Sequence, residues 1–305
     1  MRSFVVLLVV ASVSLAPLWQ ANAYVSSTTN TSHKALGWSG SNCIFLRVNS
    51  EGSDDIQDGS DVAAVHRAIK RWHDVTSCSY LRFNILDDTK TATATFNQKG
   101  PNENTVNWVE KEWTTLPNHD PAAAGLTTIF FVDDPGSPRD GKILDADIEL
   151  NGEFFTFSAQ AAGVLGTTDI ENTVVHELGH VMGLDHPCDD DLRDPIPKDN
   201  KGHTIPKCFP FSALSQEMRD VTMFNFADSG ETQKRTPEAD DILGICETYP
   251  KNRDPGVCEP ANVGGGGGGC ALTKDTDEPI VPLLLLALGS LVIALRRRPD
   301  RHLVP

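Results

Sequence analysis

The order of residue patterns predicts an α+β domain, a twisted mixed sheet with a helix that carries the candidate functional residues and a C-terminal helix. Two observations lead there. Short β-prone runs come first, and helical periodicity and irregular chain come later. No internal repeat is visible.

In chain order, Cys43 to Val48 has the apolar, β-prone content of a strand. From Asp61 to Thr76, Val62, Val65, Ile69 and Trp72 recur every three or four residues, which predicts an amphipathic helix capped by Ser60 or Asp61. Tyr80 to Leu86 alternates, with Leu81, Phe83 and Ile85 on one face. Thr91 to Phe96, Val106 to Trp113 and Leu126 to Val132 are further strand candidates. Leu144, Ala146, Ile148 and Leu150 alternate with Asp145, Asp147 and Glu149, predicting a strand with one acidic face. Asp169 then opens a helix whose stripe is Ile170, Val174 and Leu178, ending near Gly183. Pro187 to about Arg235 reads as a long loop. The last helix has Thr236 as cap, Pro237 at its first position, Ile242, Ile245 and Tyr249 inward, and Pro250 as its stop.

The ends carry a different message. Arg2, the apolar run Phe4 to Val10 and Ala21-Asn22-Ala23 have the grammar of a secretory signal over residues 1–23. The domain is expected over 24–258, and a Gly-rich linker containing Cys270 over 259–279. An apolar segment with Arg296, Arg297 and Arg298 fills 280–305. Sixteen apolar residues at about 1.5 Å each span roughly 24 Å, short of a ~30 Å hydrocarbon core. Six cysteines fall in the domain and the seventh, Cys270, in the tail. Six allow fifteen pairings; short loops favour 43–78, 188–208 and 246–258, in an oxidising compartment. The net charge of −16 argues against nucleic acid or an anionic membrane surface as partner.

His176-Glu177-Leu178-Gly179-His180-Val181-Met182-Gly183-Leu184-Asp185-His186 carries the chemistry. At about 100° per residue, His176 and His180 sit roughly 40° apart on one helix face, aimed at one metal. Glu177 lies about 100° round, where it faces a water at the metal without ligating. Gly183 permits a positive φ, so the chain leaves the helix sharply and returns His186 as third ligand. Three protein ligands leave a position open, the pattern of catalytic rather than structural zinc. Zinc there lowers a water's pKa toward ~7 and polarises a carbonyl, while Glu177 acts as general base and then acid.

This motif is similar to the signature of metzincin zinc metallopeptidases, and within them the chain most resembles a matrixin. Gly183-Leu184-Asp185-His186 has matrixin-like wording. Pro237 to Ile245 with Tyr249 resembles that family's closing helix, and Ala68 to Trp72 its first helix. The resemblance implies a zincin-like fold, hydrolysis of protein or peptide substrates, and Met223 in a turn that floors the metal site. Calcium is a second candidate ion, at Asp189, Asp190, Asp191 and Asp194 or at Asp133, Asp134, Asp140, Asp145 and Asp147. The Gly run, Cys270, apolar segment and Arg cluster resemble the C-terminal sorting tag of myxobacterial exported proteins. That implies delivery to the cell surface and transient or permanent membrane association.

Departures are also present. Pro187 follows the third histidine, and Asn225 stands where some metzincins place a tyrosine ligand. His119 alone precedes the strand candidates and reads as a surface residue. His33, His66, His73, His203 and His302 lack partner spacing. An exported zinc endopeptidase is the reading. The alternative is a surface adhesion protein with a non-cleaving domain of the same kind, against which the intact Glu177 argues.

Overall fold

The computed structural model describes residues 23–190 and 193–261. The expected signal at 1–23 up to its last residue, most of the linker and the apolar tail therefore lie outside the described residues, as does His302.

The chain forms an α+β fold around a mixed sheet. Its strands are β1 (Cys43–Val48), β2 (Arg82–Ile85), β3 (Asn104–Val109), β4 (Gly125–Phe131) and β5 (Ile143–Asn151). The order across the sheet is β2-β1-β3-β5-β4, all parallel except the edge strand β4, which runs antiparallel to β5. Helix α1 (Ser60–Val75) and helix α2 (Ile170–Val181) pack together on one face, and α3 (Ala239–Thr248) closes the domain. Ile170, Val174 and Leu178 are fully buried, as their spacing requires. The rest of α2 is buried too, because α1, the sheet and the chain after residue 220 enclose it.

Polar groups are satisfied as α2 enters the core. Asp169 caps it by accepting the Asn172 amide at 2.8 Å. Buried Glu171 is clamped by Arg67 at 2.8 Å and Arg71 at 2.9 Å from α1. Trp72 Nε1 donates to the Val175 carbonyl at 2.9 Å, which fixes the helices in register. Tyr249, buried at the end of α3, donates to the Met182 carbonyl at 2.8 Å.

Several local expectations need correction. Neither Ser60 nor Asp61 caps α1: Gly59 holds the N-cap position at φ 76°, and the Asp61 carboxylate accepts the Ser53 amide instead. Thr236 does not cap α3; Glu238 and Asp241 form a capping box two residues later. Residues 91–96 form no strand, since Thr95 donates its amide to the Asp147 side chain rather than to a ladder. The acidic face of β5 is consequently covered. Asp145 and Asp147 are buried, with Asp147 accepting from Thr95 and Thr105 while no donor reaches either oxygen of Asp145. Burial, then the neighbouring Asp147 charge, pushes the Asp145 carboxyl up to about 9. His119 is not a surface residue: its ring packs edge-on against Trp113 and lies 3.2 Å from Glu149.

Three cysteine pairs stand at disulfide distance, Cys43–Cys258, Cys78–Cys246 and Cys188–Cys208. Only the last follows the short-loop rule. The fold brings the start of β1 to the end of the domain, and the end of α1 to α3, so tertiary proximity overrides loop length. Such pairing is characteristic of an oxidising environment. Among the described residues, no helix is long and apolar enough to cross a membrane.

Candidate metal centre

Helix α2 presents His176 and His180 one turn apart, and Gly183 ends the path at φ 92°. A Cβ at Gly183 would stand 2.8 Å from the Leu36 carbonyl, so both conformation and space require glycine. Leu184–Asp185 then pairs antiparallel with Val25–Ser26, and this short ladder returns His186 beneath the helix.

The imidazoles are held by backbone. His176 Nδ1 donates to the Thr222 carbonyl at 2.7 Å, and His180 Nδ1 to the Leu184 carbonyl at 2.9 Å. A carbonyl has no proton to give, so both Nδ1 atoms carry hydrogen and both Nε2 lone pairs face inward. His186 Nε2 lies 3.0 Å from His180 Nε2 and 3.2 Å from His176 Nε2. Tetrahedral ligands at about 2.0–2.1 Å from a zinc ion would stand roughly 3.3 Å apart, so the spacing fits a single small cation. All three rings are buried, and among the described residues they are the only group of three His, Cys, Asp or Glu ligand atoms converging this closely. Burial, and the repulsion between neighbouring rings if more than one were charged, hold His176 and His186 well below the usual imidazole range, in the neutral form a metal needs.

Glu177 is buried beside them and does not join the trio. The Thr127 hydroxyl, from edge strand β4, donates to Glu177 Oε2 at 2.7 Å. A Cβ at Gly125 would meet Oε1 at 2.7 Å, so the bare backbone of β4 makes room for the carboxylate. Burial raises the Glu177 carboxyl, opposed by the His180 charge and the Thr127 hydrogen bond.

Met223 lies beneath α2, nearly fully buried, where a Cβ on Gly179 would stand only 2.2 Å from its sulfur. The turn that carries it is tied to α3: the Thr222 amide donates to Asp241 Oδ2 at 3.1 Å, and Glu238 donates its own amide to the same oxygen. The expected floor residue and the carbonyl that orients His176 thus sit on consecutive residues.

The long loop is cross-braced near His186. Cys188 pairs with Cys208, and Asn225 lies against both sulfurs. Asp189, a calcium candidate, has its oxygens engaged by Arg193 and by Lys207 at 2.8 Å. Asp133 and Asp140 of the other acidic group accept donors from residues 30–32; Asp191 lies outside the described residues.

All five expected site residues, His176, Glu177, His180, His186 and Met223, therefore meet in one place. Thr127, Gly125, Thr222 and Arg193 also shape it, and nothing in the motif points to them. No family model matches the chain, and no curated protein matches it.

Proposed function

We propose that this protein is an exported, zinc-dependent endopeptidase of the metzincin, matrixin-like kind, acting on protein or peptide substrates. The observation that carries the proposal is the convergence of three buried imidazoles, with His186 Nε2 3.0 and 3.2 Å from the other two Nε2 atoms, beside a buried carboxylate that is hydrogen-bonded elsewhere. Three nitrogen ligands suit zinc and leave a position for substrate chemistry. Zinc held there supplies a Lewis acid.

The chain's own groups do the rest. His176, His180 and His186 bind with their Nε2 atoms, each of the first two fixed in tautomer by a backbone carbonyl. Thr127 holds one oxygen of Glu177, so the carboxylate is aimed without being neutralised. Glu177 accepts the proton of the attacking water and returns it to the departing amine. Met223 closes the site from below with an apolar surface. The disulfide framework supports export, and the tail at 280–305 is proposed to sort the protein to the cell surface.

Glu177→Gln keeps the shape and removes the base. The full chain carrying it should hold zinc as tightly as wild type but cleave casein several orders of magnitude more slowly. Wild-type cleavage by the variant would refute the mechanism.

A further inference from the structure

The third ligand differs from the other two. His176 and His180 ride on a buried helix, whereas His186 lies just past the two-residue strand Leu184–Asp185, at the start of the long loop. Something must hold it against the tendency of an imidazole on irregular chain to swing away.

Arg193 is placed to do so. Its Nη1 lies 2.5 Å from Asp185 Oδ2, and its Nε lies 3.4 Å from Asp189 Oδ1. These acids stand one residue before and three residues after His186. Asp185 Oδ1 in turn accepts the His186 backbone amide at 2.7 Å. The path from guanidinium to ligand backbone is therefore one carboxylate long. The far side of the loop is secured independently, by Cys188–Cys208 and by Lys207 on Asp189. Among the described residues, no other cation reaches Asp185.

We propose that Arg193 is the positioning residue for the third metal ligand: its planar fork joins the carboxylates on either side of His186 and presets that imidazole for the other two. Arginine suits the task where lysine would not, because one rigid group presents separate donors to two carboxylates. Without it, Asp185 and Asp189 repel, and the amide-bonded end of the ligand loop is free to rotate. The inference rests on the metal reading of the three histidines.

The test is a zinc competition titration of the full chain against a chromophoric chelator. Wild type, Arg193→Met, Arg193→Lys, His186→Ala and the double variant Arg193→Met/His186→Ala are compared, with circular dichroism of each metal-free form. Arg193→Met should raise the zinc dissociation constant roughly 10- to 100-fold, the usual effect of losing a group that orients a ligand. In the His186→Ala background the same change should alter it less than about threefold, because the ligand that Arg193 positions is gone. A merely structural arginine would weaken binding equally in both backgrounds, and that result overturns the proposal. Unchanged affinity in Arg193→Met overturns it too. If Arg193→Met does not fold, Arg193→Lys decides: it keeps the charge but not the fork, so wild-type affinity refutes the positioning role and weaker binding supports it. Absence of zinc binding by wild type itself would instead refute the underlying metal reading.

Discussion

Replacing Gly179 with alanine tests how tightly the floor of the site is built. The new Cβ would stand 2.2 Å from Met223 Sδ and 3.1 Å from its methyl carbon. Ordinary contacts between such atoms are about 3.5–4.0 Å, so the thioether must retreat by more than 1 Å. Met223 is buried and continuous with the main core, so that retreat disturbs its neighbours. Overpacking of this size costs about 1–3 kcal/mol. Alanine in a helix interior returns up to about 1 kcal/mol, leaving a net loss of about 0–2 kcal/mol. In a Met223→Ala background the obstacle is gone, and Gly179→Ala should become neutral or stabilising by up to about 1 kcal/mol. The two changes should therefore be coupled by about 1–3 kcal/mol, read from urea unfolding of the four metal-free chains. Zinc affinity should fall in Gly179→Ala alone, since the displaced sulfur lies beneath the ligand helix. An identical effect of Gly179→Ala in both backgrounds would show that Met223 does not press on α2, and the floor assignment would fail.

Thr127→Val should leave zinc affinity nearly unchanged and slow peptide hydrolysis roughly 10- to 100-fold, because one oxygen of Glu177 loses the Thr127 donor while the metal ligands are untouched; unaltered turnover would remove Thr127 from the mechanism. The buried Asp145–Asp147 pair sets a pH dependence of stability. Burial first, and for Asp145 the adjacent Asp147 charge as well, pushes both carboxyls up, so the folded pair keeps at least one proton that unfolded aspartate, near 3.9, has lost. Stability is then full at low pH and is withdrawn as pH rises from about 4 toward the raised values, at about 1.4 kcal/mol per pH unit for one retained proton. Asp145→Asn mimics the protonated acid, so its advantage over wild type in urea unfolding should grow between pH 5 and pH 7. A gap that stays constant with pH would refute the shared-proton account.

How much was legible in the sequence depends on what a pattern can encode. Spacing fixed the helical pair His176 and His180 because a helix converts four residues into one turn wherever it lies, and Gly183 marked the break because few residues adopt φ 92°. The alternation of β5 located the strand but not its environment. Period two says which residues share a face, whereas the cover over Asp145 and Asp147 comes from residues 91–96, which bond to side chains and have no ladder pattern. The cysteines failed for a related reason: loop length is a property of the chain, while the pairs of Cys43 and Cys78 are set by where the last segment docks.

The ligand histidines show the deepest form of this limit. A side chain that orients a metal ligand leaves a residue type to be read, as Thr127 does for Glu177 once the fold places it 50 residues away in sequence. His176 and His180 are instead oriented by the carbonyls of Thr222 and Leu184, which any residue would supply. Those carbonyls are positioned by other pairings: Thr222 by the Asp241 carboxylate at the start of α3, Leu184 by the ladder to Val25–Ser26. Mutating Thr222 or Leu184 should consequently matter less than mutating the groups that place them, so the orientation of His176 and His180 in the candidate metal centre should be most sensitive at Asp241 and in the first strand of the described chain.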